Sequence, residues 1–373
     1  MHPGQNIGNN PMFHDCYCGK KVLVTGHTGF KGSWLCAWLE MLGAEICGVA
    51  LPMTTEFVHN DLLQMKFRSE MCDIRDVAAM ERIFQGFQPE IVFHLAAQPL
   101  VRRSYLEPLE TFESNVMGTA NVLECCRRTP SVRAVVAISS DKCYENKERM
   151  QGYCETDPMG GYDPYSASKG CTELVIGSWR RSFFPNEHYG IKHHTLLASA
   201  RAGNVIGGGD WAEDRLVPDL MRAAAQKKIT ELRNPASVRP WQHVLEPLSG
   251  YLLLGEKLLQ GKREIADGWN FGPAEDGAIT VEESAAALAQ EWDAVQYCCN
   301  PPADAPHEAG LLRLDCSKAR RELQWYGVLT PAETFAMTAE WYRKFYTDGT
   351  ICTREQIRRY GDLAAERNLE WTK

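Results

Sequence analysis

No run of about 20 apolar residues occurs in this chain, so nothing in it predicts a membrane-spanning helix. An excess of positive charge is missing too: 40 lysines and arginines face 48 aspartates and glutamates, a formal net charge of -8. That balance argues against nucleic acid or an anionic membrane surface as the main partner. It leaves room for a local basic pocket holding a phosphorylated ligand. The first ten residues, Met1 to Asn10, are polar and lack the apolar centre of an export signal. The expectation is a flexible tail over residues 1–18 on a cytoplasmic protein. Cysteine is plentiful, at 14, yet no CxxC occurs with a matching second pair. Reduced thiols and no metal site are therefore expected. Internal repeats and low-complexity tracts are absent as well.

What the chain has is length and a regular alternation of strand and helix patterns. Its 373 residues suffice for one large domain or two lobes. The alternation is organised around Val22-Leu-Val-Thr-Gly-His-Thr-Gly-Phe-Lys-Gly-Ser-Trp-Leu35. A short apolar strand leads into Gly26, Gly29 and Gly32, and a helical pattern follows through Trp34, Leu35, Trp38, Leu39 and Leu42. Strand, glycine turn and helix form the context of a dinucleotide-binding turn. Gly26 would turn the chain, Gly29 would admit a diphosphate close to the backbone, and Gly32 would let helix and strand pack. The anion would rest on free N–H groups at the helix start. The spacing is GxxGxxG. Lys31 either reaches a phosphate or stays solvated.

Further strands are expected at Glu45 to Leu51, before Cys72-Asp73, at Ile91 to Ala97, at Ala134 to Ile138, at Thr195 to Ala200 and near Trp269 to Pro273. This alternation predicts an α/β fold with a doubly wound parallel sheet and a smaller, mostly C-terminal lobe. The second strand ends Val49-Ala-Leu-Pro52, without the acid that would bind an adenosine ribose and without an arginine for a 2′-phosphate. NAD and NADP are not separated by that strand. Asp73 suits either an adenine amino group or a helix cap. His94 reads as a packed strand histidine. Asn115 opens a helix and could fix a group beneath a site.

Chemistry concentrates where strands end. Ser139-Ser-Asp-Lys142 follows the strand Ala134–Ile138, at the edge where open α/β sheets hold ligands. Tyr165 and Lys169 lie four apart on a long expected helix and so share a face. A phenol is a poor base at its usual pKa near 10. A neighbouring ammonium favours phenolate, and Tyr165 could then take a proton from a sugar hydroxyl. Ser140 is placed to hydrogen-bond the same oxygen. Asp141 beside this group is unnecessary for dehydrogenation but necessary if a hydroxyl must leave as water. Its alternative is a turn cap.

These stretches together resemble the extended short-chain dehydrogenases/reductases, and within them the CDP-glucose 4,6-dehydratase family. The carrying segments are Thr25 to Trp34, His94-Leu-Ala-Ala-Gln-Pro-Leu-Val101, Ser140 to Tyr144, Gly160 to Lys169, Arg201 to Trp211 and Arg239 to Pro247, and the likeness runs from about Gly19 onward. The resemblance implies NAD as a recycled cofactor and conversion of CDP-glucose to its 4-keto-6-deoxy product, a step toward dideoxysugars of O-antigen and lipopolysaccharide. It assigns catalysis to Ser140, Asp141, Lys142, Tyr165 and Lys169. Tyr165 serves C4 oxidation, Asp141 protonates the departing C6 hydroxyl, and Lys142 assists C5 deprotonation as a base or stabilises the enolate. The related dTDP-glucose enzymes have Asp-Glu where this chain has Asp141-Lys142. Cofactor contacts are implied for Gly26, Thr28, Gly29, Phe30, Lys31, Gly32, Asp73, Ile74, Leu95, Ala96, Ala97, Tyr165 and Lys169. Substrate contacts are implied for Gln98, Asn115, Asn204, Arg239, Asn270 and His307. Residues 19–200 and about 240–272 would form the NAD domain, and about 201–239 with 273–373 the nucleotide-sugar lobe. Helices near Glu107–Arg127 and Tyr165–Arg181 resemble a dimer interface, implying a homodimer or tetramer. A dTDP-glucose or GDP-mannose dehydratase, or a 4-epimerase, is the neighbouring reading, and an epimerase has no use for Asp141. A non-catalytic NAD-binding regulator is the reading from another class, and the joint presence of Ser140, Tyr165 and Lys169 speaks against it.

Overall fold

The computed structural model describes residues 12–273, 277–300 and 311–373. Seven strands form one sheet: β1 (Lys21–Thr25), β2 (Glu45–Ala50), β3 (Arg68–Met71), β4 (Ile91–His94), β5 (Ala134–Ile138), β6 (Leu196–Arg201) and β7 (Gly268–Asn270). Their order is β7-β6-β5-β4-β1-β2-β3, and every pairing is parallel. The chain runs outward from β1 to β3, then returns to lay β4 on the other side of β1. The carboxyl ends of β1 and β4 therefore flank the crevice where such sheets bind ligands.

The strands are apolar on both faces because helices cover both. Val22, Val24, Phe93 and Val136 point into one core with Trp34 and Trp38 of α1 (Phe30–Met41). Leu23, Val92, Val135 and Leu197 point into the other, against Met80 and Phe84 of α2 (Val77–Phe87), Val122 and Leu123 of α3 (Gly118–Arg128) and Ile176 of α4 (Pro164–Ser182). The doubly wound sheet expected from the alternation is thus observed, with β7 as its outermost strand.

The helix expected between Glu107 and Arg127 is broken. Short helices at Val101–Leu106 and Pro108–Phe112 lead into a π turn at Glu113–Met117, and α3 follows. The wider turn admits an extra residue, and Asn115 is buried there.

Two boundaries need correcting. Residues 12–18 are not a flexible tail: Phe13 and Tyr17 are buried, and Phe13 stacks on Trp371 at 5.2 Å. Aromatic side chains anchor this segment beneath the sheet, while residues 1–11 lie outside the described residues. Nor does all of 273–373 form a separate lobe. After α5 (Leu216–Ala225), α6 (Leu245–Leu259) and α7 (Val281–Glu291), the last two long helices are α8 (Pro331–Asp348) and α9 (Thr353–Glu366). α9 returns to α1, where Tyr360 meets Trp38 at 5.8 Å and Arg354 pairs with Glu40 at 2.7 Å. Its buried face (Ile357, Tyr360, Ala364) has nowhere else to go. The lobe proper holds Val238–Pro240 paired with Ala278–Thr280, and Ile229–Leu232 paired with Gln296–Cys299.

Candidate active site

β1 ends at Thr25, and the glycine turn begins. Gly26 has φ +76°, and a Cβ there would meet the Ala96 nitrogen at 2.8 Å. A Cβ on Gly32 would lie 2.1 Å from the Gly26 carbonyl oxygen, so this helix can start here only with glycine. Gly29 is the N-cap of α1, and no side chain caps the helix. The first N–H groups of α1 are therefore open to an anion. Opposite, Thr25 Oγ1 accepts from the Leu95 and Ala96 nitrogens, both at 3.1 Å, and holds the chain after β4 against the turn. Thr28 Oγ1 donates to the Leu51 carbonyl at 3.1 Å, tying the turn to the end of β2. Leu51 and Met53 are exposed beyond it, apolar surface that an adenosine would cover. This cradle fits a dinucleotide: open amides for the diphosphate, bare backbone beside them, and an apolar shelf.

Of the other expected cofactor contacts, Phe30 sits half-buried beside Gly207. The Asp73 carboxylate is taken up by Arg75, through its backbone nitrogen at 2.8 Å and its guanidinium at 2.7 Å. The cap of α2 is Asp76, which accepts from the Ala79 nitrogen. Ile74 turns its side chain into the core, and its carbonyl accepts from Asn121. His94 is a packed histidine, as expected. Its nitrogens meet the hydroxyls of Thr25 and Thr119 at 2.7 and 3.0 Å, and burial holds its pKa down near about 3.

β5 delivers Ser139 and Ser140 in extended conformation, and Asp141–Cys143 makes one helical turn. Ser140 Oγ donates to Asp141 Oδ1 at 2.9 Å and accepts from the Lys142 nitrogen at 3.2 Å. Asp141 is buried and Lys142 half-buried. α4 starts at Pro164 because Asp163 caps it, accepting from the Ser166 nitrogen at 2.9 Å. Tyr165 lies in that first turn, and Lys169, one turn on, places its Nζ 6.0 Å from the Tyr165 ring centre. Four of the five expected catalytic side chains are thus joined by direct contact or one helical turn, and Lys142 adjoins them through the chain.

The electrostatics differ from the simple expectation. Burial lifts the Tyr165 phenol to about 12, while contact with Ser140 and the charge of Arg215 pull it down and Asp141 pushes it up. Lys169 is lowered to about 8 by burial, against the opposing pull of Cys143 and Glu173. On this balance, burial favours the protonated phenol at Tyr165. Lys31 is not a solvated surface lysine. Its Nζ lies 6.0 Å from the Tyr251 ring, and burial with the nearby cations Arg215 and Lys169 lowers it to about 8, opposed by Asp141. Tyr251 is fully buried, and its hydroxyl has no hydrogen-bond partner among the described residues.

Gln98 and Asn115 are drawn together. Asn115 Oδ1 accepts from the Gln98 nitrogen at 2.7 Å, and its Nδ2 donates to Ser168 Oγ at 2.8 Å, fixing the loop after β4 to α4. The Gln98 side chain spans Leu100 and Thr111. Asn204 stands at φ +50°, and its carbonyl accepts from the Gln242 nitrogen. Asn270 is buried, its amide bonded to the carbonyls of Tyr153 and Asp315 and its Oδ1 to Tyr144. Its polar atoms serve the fold around the site. Arg239 lies on the strand of the lobe, and His307 lies outside the described residues. Asp141 opens onto a narrow cavity lined by Gly203, Pro240, Gln242 and Leu314. A wider cleft of about 740 Å³ shares Pro240, Pro273 and Leu314 with it and is walled by Arg149, Arg313 and Arg320. Arg215, Tyr251 and these cleft arginines were missed in the sequence. Only their position in the fold marks them.

A dinucleotide cradle, a Tyr–Lys pair and a buried carboxyl at one crevice define an enzyme that joins redox chemistry to proton transfer on a hydroxylated substrate. The sequence profile of the GDP-mannose 4,6 dehydratase family matches residues 23–338. The chain is 47% identical over 350 residues to the CDP-glucose 4,6-dehydratase of Salmonella typhimurium, covering 92% of this chain and 96% of that protein. It is 26% identical to a dTDP-glucose 4,6-dehydratase of Escherichia coli, covering 86% of this chain and 92% of that protein. In structure it is similar to the dTDP-glucose 4,6-dehydratase of Streptomyces venezuelae solved with NAD bound, at 24% identity and a TM-score of 0.72, over 87% of this chain and 97% of that one. It is similar to the UDP-glucose 4-epimerase of Thermotoga maritima, at 23% identity and a TM-score of 0.74, over 87% of this chain and 99% of that one. The chain belongs to the GDP-mannose 4,6-dehydratase family.

Proposed function

We propose that this chain is an NAD-dependent CDP-glucose 4,6-dehydratase. The observation that carries the reading is the buried Asp141 carboxyl beside Ser140 and Tyr165, in a chain 47% identical across nearly its full length to a CDP-glucose 4,6-dehydratase. An epimerase needs the tyrosine and lysine but not this acid.

Bound in the glycine cradle, NAD would supply a hydride acceptor for C4 and the hydride source for C6, and would be recycled. The chain's own residues move the protons. Ser140 Oγ holds the C4 hydroxyl, and Tyr165 Oη takes its proton. Because burial disfavours phenolate, Tyr165 relies on surrounding positive charge to ionise, from Arg215 and from the Lys169 ammonium 6.0 Å from its ring. With a ketone at C4, the C5 hydrogen becomes acidic, and Lys142 assists its removal. Asp141 then gives a proton to the C6 hydroxyl, which departs as water, and C5 regains a proton as C6 receives hydride. The amides of Phe30 to Gly32 and the ammonium of Lys31 hold the cofactor's diphosphate side, with Thr28, Leu95, Ala96 and Ala97 lining it. Asp73 and Ile74 border its adenine end through backbone groups. Asn204 and Arg239 take the nucleotide diphosphate, since a guanidinium binds oxygens in pairs. The wider cleft with Arg313 and Arg320 receives the nucleoside. Gln98, Asn115 and Asn270 shape the walls. The partner is a second copy of the chain, joined through the helices at 101–128 and α4. Among the described residues no helix is long and apolar enough to cross a membrane, in keeping with a cytoplasmic enzyme.

The test is separate incubation with CDP-glucose, dTDP-glucose and GDP-mannose, each with substoichiometric NAD, followed by mass spectrometry. Loss of one water from CDP-glucose alone is expected. Water loss from another sugar would keep the chemistry and overturn the nucleotide, while interconversion at C4 without water loss would make the chain an epimerase.

A further inference from the structure

Glu173 and Arg201 form an ion pair in which both side chains are almost fully buried, at 4% and 6% exposure. Arg201 closes β6, and Glu173 lies one turn beyond Lys169 on α4. Glu173 Oε2 accepts from Arg201 Nη2 and from Ser199 Oγ, both at 2.8 Å. Its other oxygen accepts from Ser139, the residue directly before Ser140. Arg201 Nη1 donates to the Tyr144 hydroxyl at 2.6 Å, and that hydroxyl donates to Asn270 Oδ1 at 2.8 Å. The pair thus grips the loop carrying Ser140, Asp141 and Lys142 at both ends, Ser139 in front and Tyr144 behind. Through Asn270 and the Asp315 carbonyl, at 3.1 Å, the grip extends into the C-terminal lobe.

Such a pair is a poor source of stability, because desolvating two ions offsets their attraction. Its placement beside Lys169 gives it another task. The groups that face Lys169 are the Tyr165 ring, the Cys143 thiol, the Glu173 carboxylate, the neutral His94 and the Lys31 ammonium. Glu173 is the only carboxylate in that set.

We propose that the Glu173–Arg201 pair is a positioning device that clamps the catalytic loop and, through the balance of its two charges, keeps Lys169 an ammonium. The inference rests on the Tyr165–Lys169 reading of the site. Without Glu173, Lys169 loses the carboxylate that favours its charged form, and the ammonium loses its proton at lower pH. Without Arg201, the bare carboxylate holds that proton to higher pH. The two deletions must act in opposite directions, which no purely structural role demands.

The experiment compares Glu173→Gln, Arg201→Met and the double variant with the wild type. kcat and KM for CDP-glucose are measured across pH, and NAD affinity across pH without substrate. The alkaline limb of kcat is expected to move down by about one pH unit in Glu173→Gln and up by about one in Arg201→Met, as expected for a charge within a few ångströms. The double variant returns the limb to its original position with a lower kcat and an unchanged KM, because the clamp is loosened while the charges cancel. Limbs that move together, or stay put while kcat falls evenly, overturn the proposal. A double variant with wild-type kcat overturns the clamp even where neither single variant folds. If the wild type does not dehydrate CDP-glucose, the functional reading fails first, and opposite pH shifts in NAD affinity still decide this one.

Discussion

At the scale of single residues, Asp141 depends on an empty space. A Cβ built on Gly203 would lie 1.9 Å from Asp141 Oδ2, so the acid occupies its position only because residue 203 has no side chain. Gly203→Ala should push the carboxyl aside and leave Tyr165 and Lys169 in place. Water loss should fall by about a hundredfold, as for loss of a positioned general acid. C4 oxidation should continue, visible as reduced cofactor accumulating by absorbance on addition of CDP-glucose. An equal loss of both steps would show that Asp141 is not specific to elimination. Lys142 gives a second residue-scale test. Lys142→Ala should slow exchange of the C5 hydrogen with solvent deuterium at least tenfold, a general-base effect. Exchange at the wild-type rate would free Lys142 of that role. Much of this cluster was legible in the chain: Tyr165 and Lys169 by their spacing of four, Ser140 and Asp141 by their place after an apolar strand. Glu173, Arg215 and Tyr251 were not, because each acquires its meaning from burial against residues far away in sequence. Lys31 shows part of the same limit: its place in a first helical turn left phosphate contact and solvation both open, and only the fold places it beside Tyr251.

At the scale of elements, the parallel sheet could be read from unbroken apolar runs separated by helical patterns, and only its order had to be seen. The ends of the chain were illegible for a physical reason. Residues 12–18 and α9 are short or amphipathic segments whose partners lie at the opposite terminus, so local pattern alone makes them tail and lobe. What docks the C-terminal segment is Glu246, buried in the first turn of α6. Its carboxylate accepts from the Val328 nitrogen at 2.9 Å, the Leu329 nitrogen at 2.6 Å and the Tyr360 hydroxyl at 2.9 Å. Burial pushes its pKa up to about 7, against the pull of those donors. A carboxyl whose pKa is raised on folding contributes stability below its unfolded pKa near 4.5, and that contribution is lost as pH rises through about 7. The change is on the order of 3 kcal/mol for a shift of this size. The melting temperature should therefore fall by several degrees between roughly pH 5 and 8. Glu246→Gln, neutral throughout, should flatten that slope while Gln Oε1 still accepts from the backbone. A variant with the wild-type slope would assign the pH dependence to other groups.

At the scale of the whole molecule, the surface is uneven. Large apolar side chains stand exposed on three neighbouring helical segments: Leu106 at 80% on Val101–Leu106, Leu109 at 77% on Pro108–Phe112 and Leu174 at 60% on α4. The segments are joined beneath the surface, where Asn115 bonds Ser168 and Thr172. Clustered exposed leucines mark an interaction surface. α4, which carries Leu174, also carries Tyr165 and Lys169, so a partner seated there would stiffen the back of the active site. A second copy of the chain would satisfy this geometry, because a two-fold axis lets the same apolar surface cover itself. Sedimentation should give a dimer or tetramer at micromolar concentration. Leu106→Glu combined with Leu174→Glu should give monomers, because each charge would be buried opposite its own copy. If the monomers retain the fold by circular dichroism and lose most of their turnover, assembly supports the site as well as the surface. If the wild type sediments as a monomer, the exposed leucines face a different partner.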